Sequence, residues 1–151
     1  MRDSKLVTGR SLHQAWLLLD QWASLETAKG EPLYDAYAEA VLLLLGAAYR
    51  SLYMELAAAC GYTGGAATLS SVCEALAIQG TVSPELAELQ RMEKSSSYWL
   101  HAMLNARVRY DADIAVDAIA FGGGIDPVQC DSWYRQLHEL TLRLREASAQ
   151  W

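Results

Sequence analysis

Two segments near opposite ends of the chain read Arg-x-Leu-His: Arg10-Ser11-Leu12-His13 and Arg135-Gln136-Leu137-His138. At this spacing an arginine and a histidine sit close together on one helix surface. Each pair then offers a fixed cation, several donors and an imidazole that exchanges protons near neutral pH. If the helices that carry them are neighbours, Arg10, His13, Arg135 and His138 converge on one phosphate or carboxylate. The plainer reading is that each pair only flanks an apolar stripe through its leucine, as Asp20 does near His13.

Other chemistry is sparse. Helical ribonucleases of the HEPN type carry a longer arginine-to-histidine interval than the two residues found in both motifs here, which counts against that activity. The histidines His13, His101 and His138 lie far apart, and no Glu-x-x-His motif of the kind that builds metal sites in helical bundles occurs. Asp35 with Glu39, and Asp113 with Asp117, share helix faces by their spacing, but such pairs are usually solvated. Gly122-Gly123-Gly124-Ile125-Asp126 has no following lysine and presents an acid where an anion would sit, so it reads as a connection and not a phosphate loop. No Gly-x-Ser-x-Gly elbow is present. We therefore expect no catalytic residue, no metal and no cofactor.

The chain of 151 residues carries 12 basic and 18 acidic side chains, a formal charge of −6. A sequence-independent nucleic-acid binder needs a basic face, so that class is disfavoured. The longest apolar stretch, 40–49, meets Arg50 and Glu55 well short of the roughly 20 residues a membrane span needs. No secretory signal is apparent at the start. Cys60, Cys73 and Cys130 are an odd number without a Cys-x-x-Cys pair, which suits reduced thiols in a cytoplasmic protein.

The elements that must position these groups are helices. Pro32, Pro84 and Pro127 stand where helices begin, the last two behind Ser83 and Asp126, which are good cap residues. Gly30, Gly61, Gly80 and Gly122 stand where helical spacing stops. The first helix is expected over about 9–29, with a stripe of Leu12, Ala15, Trp16, Leu19, Trp22 and Ala23, and 1–8 as a flexible tail. The second runs from Pro32 to about Cys60 and is apolar on more than one side, as a central helix is. Short helices follow over about 69–79 and from Pro84 through Met92. A fifth carries Trp99, Met103, Tyr110 and Ile114, although 114–121 alternates well enough to be a strand. The sixth opens at Asp126-Pro127 with Trp133, Leu137, Leu140 and Leu144 on one side and Asp131, Arg135, Glu139 and Arg143 on the other. The expected fold is a single-domain, all-α antiparallel bundle of four long helices and two short ones.

Five tryptophans and eight tyrosines against one phenylalanine is a biased aromatic set. Such rings suit partly buried positions and interfaces. Tyr34, Tyr37, Leu43, Tyr53 and Met54 on the second helix are candidates for a partner surface or dimer seam, the alternative being that they top off the core.

Ser83-Pro84-Glu85-Leu86-Ala87-Glu88-Leu89, followed by Ser97-Tyr98-Trp99-Leu100, resembles a small bacterial family of uncharacterised all-helical proteins. The likeness runs from about Ser11 to Arg109 and includes Ala15-Trp16 and the apolar second helix. It implies a bacterial helical bundle and assigns no activity. The expectation is thus a cytoplasmic, non-enzymatic protein-interaction module: an adaptor, an inhibitor or immunity-type partner, or a homodimeric regulator. The alternative is an anion- or small-molecule-binding bundle using Arg10, His13, Arg135 and His138.

Overall fold

Side-chain caps fix where most helices start. The computed structural model describes residues 3–108 and 125–150. Among these lie α1 (Ser4–Ser24), α2 (Pro32–Ala59), α3 (Leu69–Ile78), α4 (Pro84–Lys94), α5 (Trp99–Asn105) and α6 (Pro127–Ala149), with no strand. Asp3, Thr68, Ser83 and Asp126 each accept a hydrogen bond from a first-turn N–H of α1, α3, α4 and α6. Pro32, Pro84 and Pro127 occupy first helical positions. Gly61 and Gly80 take positive φ and close α2 and α3, each with the next residue's N–H reaching back to a carbonyl in the last turn.

The first helix differs from expectation at both ends. It begins at Ser4, so most of 1–8 is not a loose tail. Its stripe extends backwards through Ser11 and Thr8, which are buried but polar and so carry no apolar signal. It stops at Ser24, not near Lys29, because Trp22 is its last buried residue and Leu25 beyond it is exposed. A further turn there has no packing to support it.

The fifth helix is short. The Arg107 guanidinium donates to the carbonyls of Leu104 and Ala106, so a side chain takes over the Leu104 carbonyl that another turn would have used. Tyr110, Ile114, the helix-or-strand question over 114–121 and Gly122 lie outside the described residues. Among the described residues the six helices therefore divide into three long and three short.

α2 touches every other helix, and one hydrophobic cluster draws on all six. Val41, Leu45, Ala48 and Leu52 are fully buried along it. Among the described residues α2 is the helix long and apolar enough to cross a membrane by length and composition. A core helix packed against the five other described helices passes the same test, and half of this apolar stretch is buried inside the chain. α1 runs antiparallel to α2, with Trp22 against Tyr34 at one end and Thr8 bonded to Glu55 at the other. α1 is likewise antiparallel to α6: Arg145 donates to the Lys5 carbonyl, while Ala23 and Pro127 line one furrow at the far end. α2 and α6 are consequently parallel, the chain returning through α3, α4 and α5.

Candidate interaction surface

Most charged groups that reach the interior are consumed in holding helices together. Glu55 of α2 is buried and accepts from Thr8 of α1 and, through both oxygens, from Arg145 of α6. Tyr49 donates to Glu93 at 2.6 Å, and His101 Nδ1 lies 2.8 Å from the Glu93 carbonyl oxygen. Burial, then the bond to Glu93, raises the Tyr49 hydroxyl above its ordinary range. Arg143 forks onto Glu88 of α4 with bonds of 3.1 and 2.6 Å. Burial, with a smaller contribution from Asp126, pushes the Cys130 thiol up to about 12, and burial also raises Cys73. Neither thiol is poised as a nucleophile. Among the described residues no group of three or more His, Cys, Asp or Glu is placed to hold a metal ion.

At the seam of α1 and α6 an exposed aromatic stands among charged groups. Trp16 is 45% exposed and lines two adjoining furrows. One, of about 250 Å³, is completed by Tyr134, Arg135, His138 and Glu139. The other, of about 330 Å³, runs on past Leu19, Asp20, Ala23, Pro127, Val128 and Asp131. His13 stacks on Trp16 with ring centroids 5.9 Å apart, and His138 stacks on Tyr134 at 6.0 Å. Three of the four groups of the twin motifs, His13, Arg135 and His138, therefore surround Trp16. Arg10 is exposed on the same outward side of α1. The charges of the furrow are mixed, since Arg135 is bonded to Asp131 at 2.7 Å and Glu139 stands beside it. That bond is the main cause holding the Arg135 guanidinium above its ordinary value.

The second-helix candidates scatter. Tyr34 is buried edge-on against Trp22 and its hydroxyl donates to the Ile125 carbonyl. Tyr53 is buried against Tyr49 and donates to the Ala67 carbonyl at 2.6 Å. These two are core residues with their polar ends satisfied inside the chain, a correction to the surface role expected of them. Tyr37 is half-buried with its hydroxyl 3.4 Å from Gln21, and Met54 packs against the core. Leu43 is exposed and lines a separate groove of about 470 Å³ with Leu42, Met103, Leu104, Arg50 and Arg107.

Sequence reasoning placed Trp16 in the buried stripe and did not single out Tyr134. The buried row is Leu12, Ala15, Leu19 and Trp22. Trp16 lies one position round the helix, where it meets α6 instead of α2. The available signal was the aromatic one residue beyond a complete stripe.

A family model described as a family of unknown function (DUF6586) matches residues 1–151. The chain belongs to that family. Comparison with curated proteins and with solved structures gives no match. The family carries no activity to transfer, so function rests on the α1/α6 seam and the helices that build it.

Proposed function

We propose that this chain is a non-enzymatic protein-interaction module of a bacterial cytoplasm and that the outward face of α1 and α6 is its contact surface. The observation that carries the reading is Trp16, a half-exposed tryptophan set among His13, Tyr134, Arg135 and His138 on two long helices. Tryptophan, tyrosine and arginine are the residue types that dominate binding energy at protein interfaces. Free Cys60, Cys73 and Cys130 support the cytoplasmic placement. A photo-crosslinking residue at exposed Leu17, compared with one at exposed Ile78 on α3, tests the reading in cells. A discrete protein adduct from position 17 and none from 78 is expected; equal labelling at both positions rejects the surface.

The second reading is an anion held by Arg10, His13, Arg135 and His138. It is supported by the gathering of three of these around Trp16, and opposed by Asp131 and Glu139 in the same furrows. Titration with inorganic phosphate, followed by NMR on the ring protons of His13 and His138, separates the two. Unmoved histidine signals at millimolar phosphate exclude the anion site.

A further inference from the structure

We infer that the face of the α1/α6 pair left open by the other described residues seats the same face of a second copy of this chain, the two copies lying head to tail. The inference rests on the interaction-module reading and adds the partner to it.

Size is the first argument. The helices have 21 and 23 residues and lie side by side. At 1.5 Å rise per residue and about 10 Å width each, they present a face about 30 Å long and 20 Å wide. That is the scale of surface, about 800 Å² per copy, that a standard stable interface removes from water.

The second argument is where the apolar groups and charges fall. Along α1 the outward row reads Leu6, Arg10, His13, Leu17 and then Asp20, all exposed. Along α6 it reads Val128, Asp131, Arg135, His138 and Leu142, with Val128 and Leu142 prominently exposed at its two ends. The aromatic cluster of Trp16, His13, Tyr134 and His138 occupies the middle. Among the described residues Arg10 and Asp20 have no hydrogen bond or ion pair, although both stand on this face. They lie on either side of the cluster, one toward each end of α1.

A closed dimer repeats one patch against itself, so each group must suit what a two-fold axis places over it. With the axis across the two helices at the level of Trp16, α1 lies antiparallel on the α1 of the other copy. Arg10 then meets the partner's Asp20, Asp20 meets the partner's Arg10, and Val128 faces the partner's Leu142. The unpaired charges satisfy each other twice. Asp131 and Arg135 enter already neutralised by their own bond. The rings gather at the axis, where the central contacts of an interface dominate its energy. A face with one sign of charge at both ends has no such solution.

Sedimentation velocity over a range of concentrations tests this. The wild type is expected at twice its 16.6 kDa chain mass. Arg10→Asp and Asp20→Arg each place like charges together and should weaken association at least tenfold, while the R10D/D20R double variant restores it. Trp16→Ala should weaken association as well. All of these positions are exposed, and unchanged far-UV circular dichroism checks that the variants fold. A wild type that stays monomeric overturns the second copy as partner but leaves the contact surface to the crosslinking result. A dimer indifferent to Trp16, Arg10 and Asp20 overturns the inference and likewise leaves the contact surface to the crosslinking result. A dimer weakened by the single changes but not rescued by the double overturns the head-to-tail arrangement.

Discussion

Arg145 Nε lies 2.6 Å from Glu55 Oε1, and Arg145 Nη2 lies 3.1 Å from Glu55 Oε2, a fork that ties the last turns of α6 and α2. Thr8 of α1 donates to the same carboxylate, and Arg145 also reaches the Lys5 carbonyl. All three long helices are thus pinned at one end by one buried acid. The two partners are unequally buried, with side-chain exposure of 28% for Arg145 and 5% for Glu55.

That inequality predicts unequal mutational costs. Arg145→Ala strands the carboxylate inside, whereas Glu55→Gln leaves a guanidinium that can turn to water. Breaking a fully buried pair costs 3–5 kcal/mol; at this half-open site about 2–3 kcal/mol is expected for Arg145→Ala and about 1–2 for Glu55→Gln. Urea unfolding monitored by circular dichroism reads both. Equal costs would mean that Glu55 is hydrated despite its burial.

Trp16 and Trp22 share α1 but face different surroundings. Trp22 is 1% exposed and packs on Tyr34. Trp22→Ala should cost about 3–5 kcal/mol. Trp16→Ala, on the open seam, should cost under about 1 kcal/mol, provided stability is measured at a concentration where the chain is monomeric. At that same monomeric concentration, emission of Trp16 should be red-shifted and quenched by iodide, with Trp22 protected; the W16F and W22F variants assign the two signals. A Trp16 that resists the quencher in the monomer removes the contact surface.

How legible each feature was depended on whether its signal was local. Ser83-Pro84 and Asp126-Pro127 announced helix starts because capping is settled within one turn, and the structure begins α4 and α6 there. Gly61 and Gly80 were equally plain, since a left-handed backbone is a property of single residues. Ser11 was unreadable because a polar residue carries no apolar signal, and Thr8 because its partner Glu55 is distant in sequence. Tyr34 and Tyr53 misled for the same reason: their hydroxyls find carbonyls on other segments, so a ring that looked amphipathic was internally satisfied. The convergence of His13 with Arg135 and His138 required knowing that α1 and α6 are neighbours, which spacing within either helix does not contain.

Gly9 lies inside α1, and a Cβ added there meets nothing within 4 Å. Glycine in a helix interior costs about 0.8–1 kcal/mol relative to alanine through backbone entropy. Gly9→Ala should therefore raise stability by about that amount in urea unfolding. Gly61→Ala has equal room but must hold φ near +93°, so it should lower stability by about 1 kcal/mol. The opposite signs at two spacious sites isolate the backbone term. Two changes of the same sign would show that packing decides instead.

High pH should destabilise the fold through Cys130 and Tyr49. Both titrate from neutral to anionic, and burial raises both pKa values in the folded chain, that of Cys130 to about 12. Above the unfolded value, about 8.5 for a thiol, the unfolded chain has lost a proton that the native chain keeps. The derivative of unfolding free energy with pH is then negative, by at most about 1.4 kcal/mol per pH unit per group. Stability contributed by the neutral thiol is therefore complete below about pH 8 and is lost as pH rises toward 12, with Tyr49 joining near pH 10. Cys130→Ala lowers stability at neutral pH by opening a small cavity, but it should flatten the decline between about pH 9 and 10, before tyrosine titrates. Unfolding free energies from urea melts at half-unit pH steps give the slope directly. A variant that keeps the wild-type slope would place the alkaline sensitivity outside this thiol.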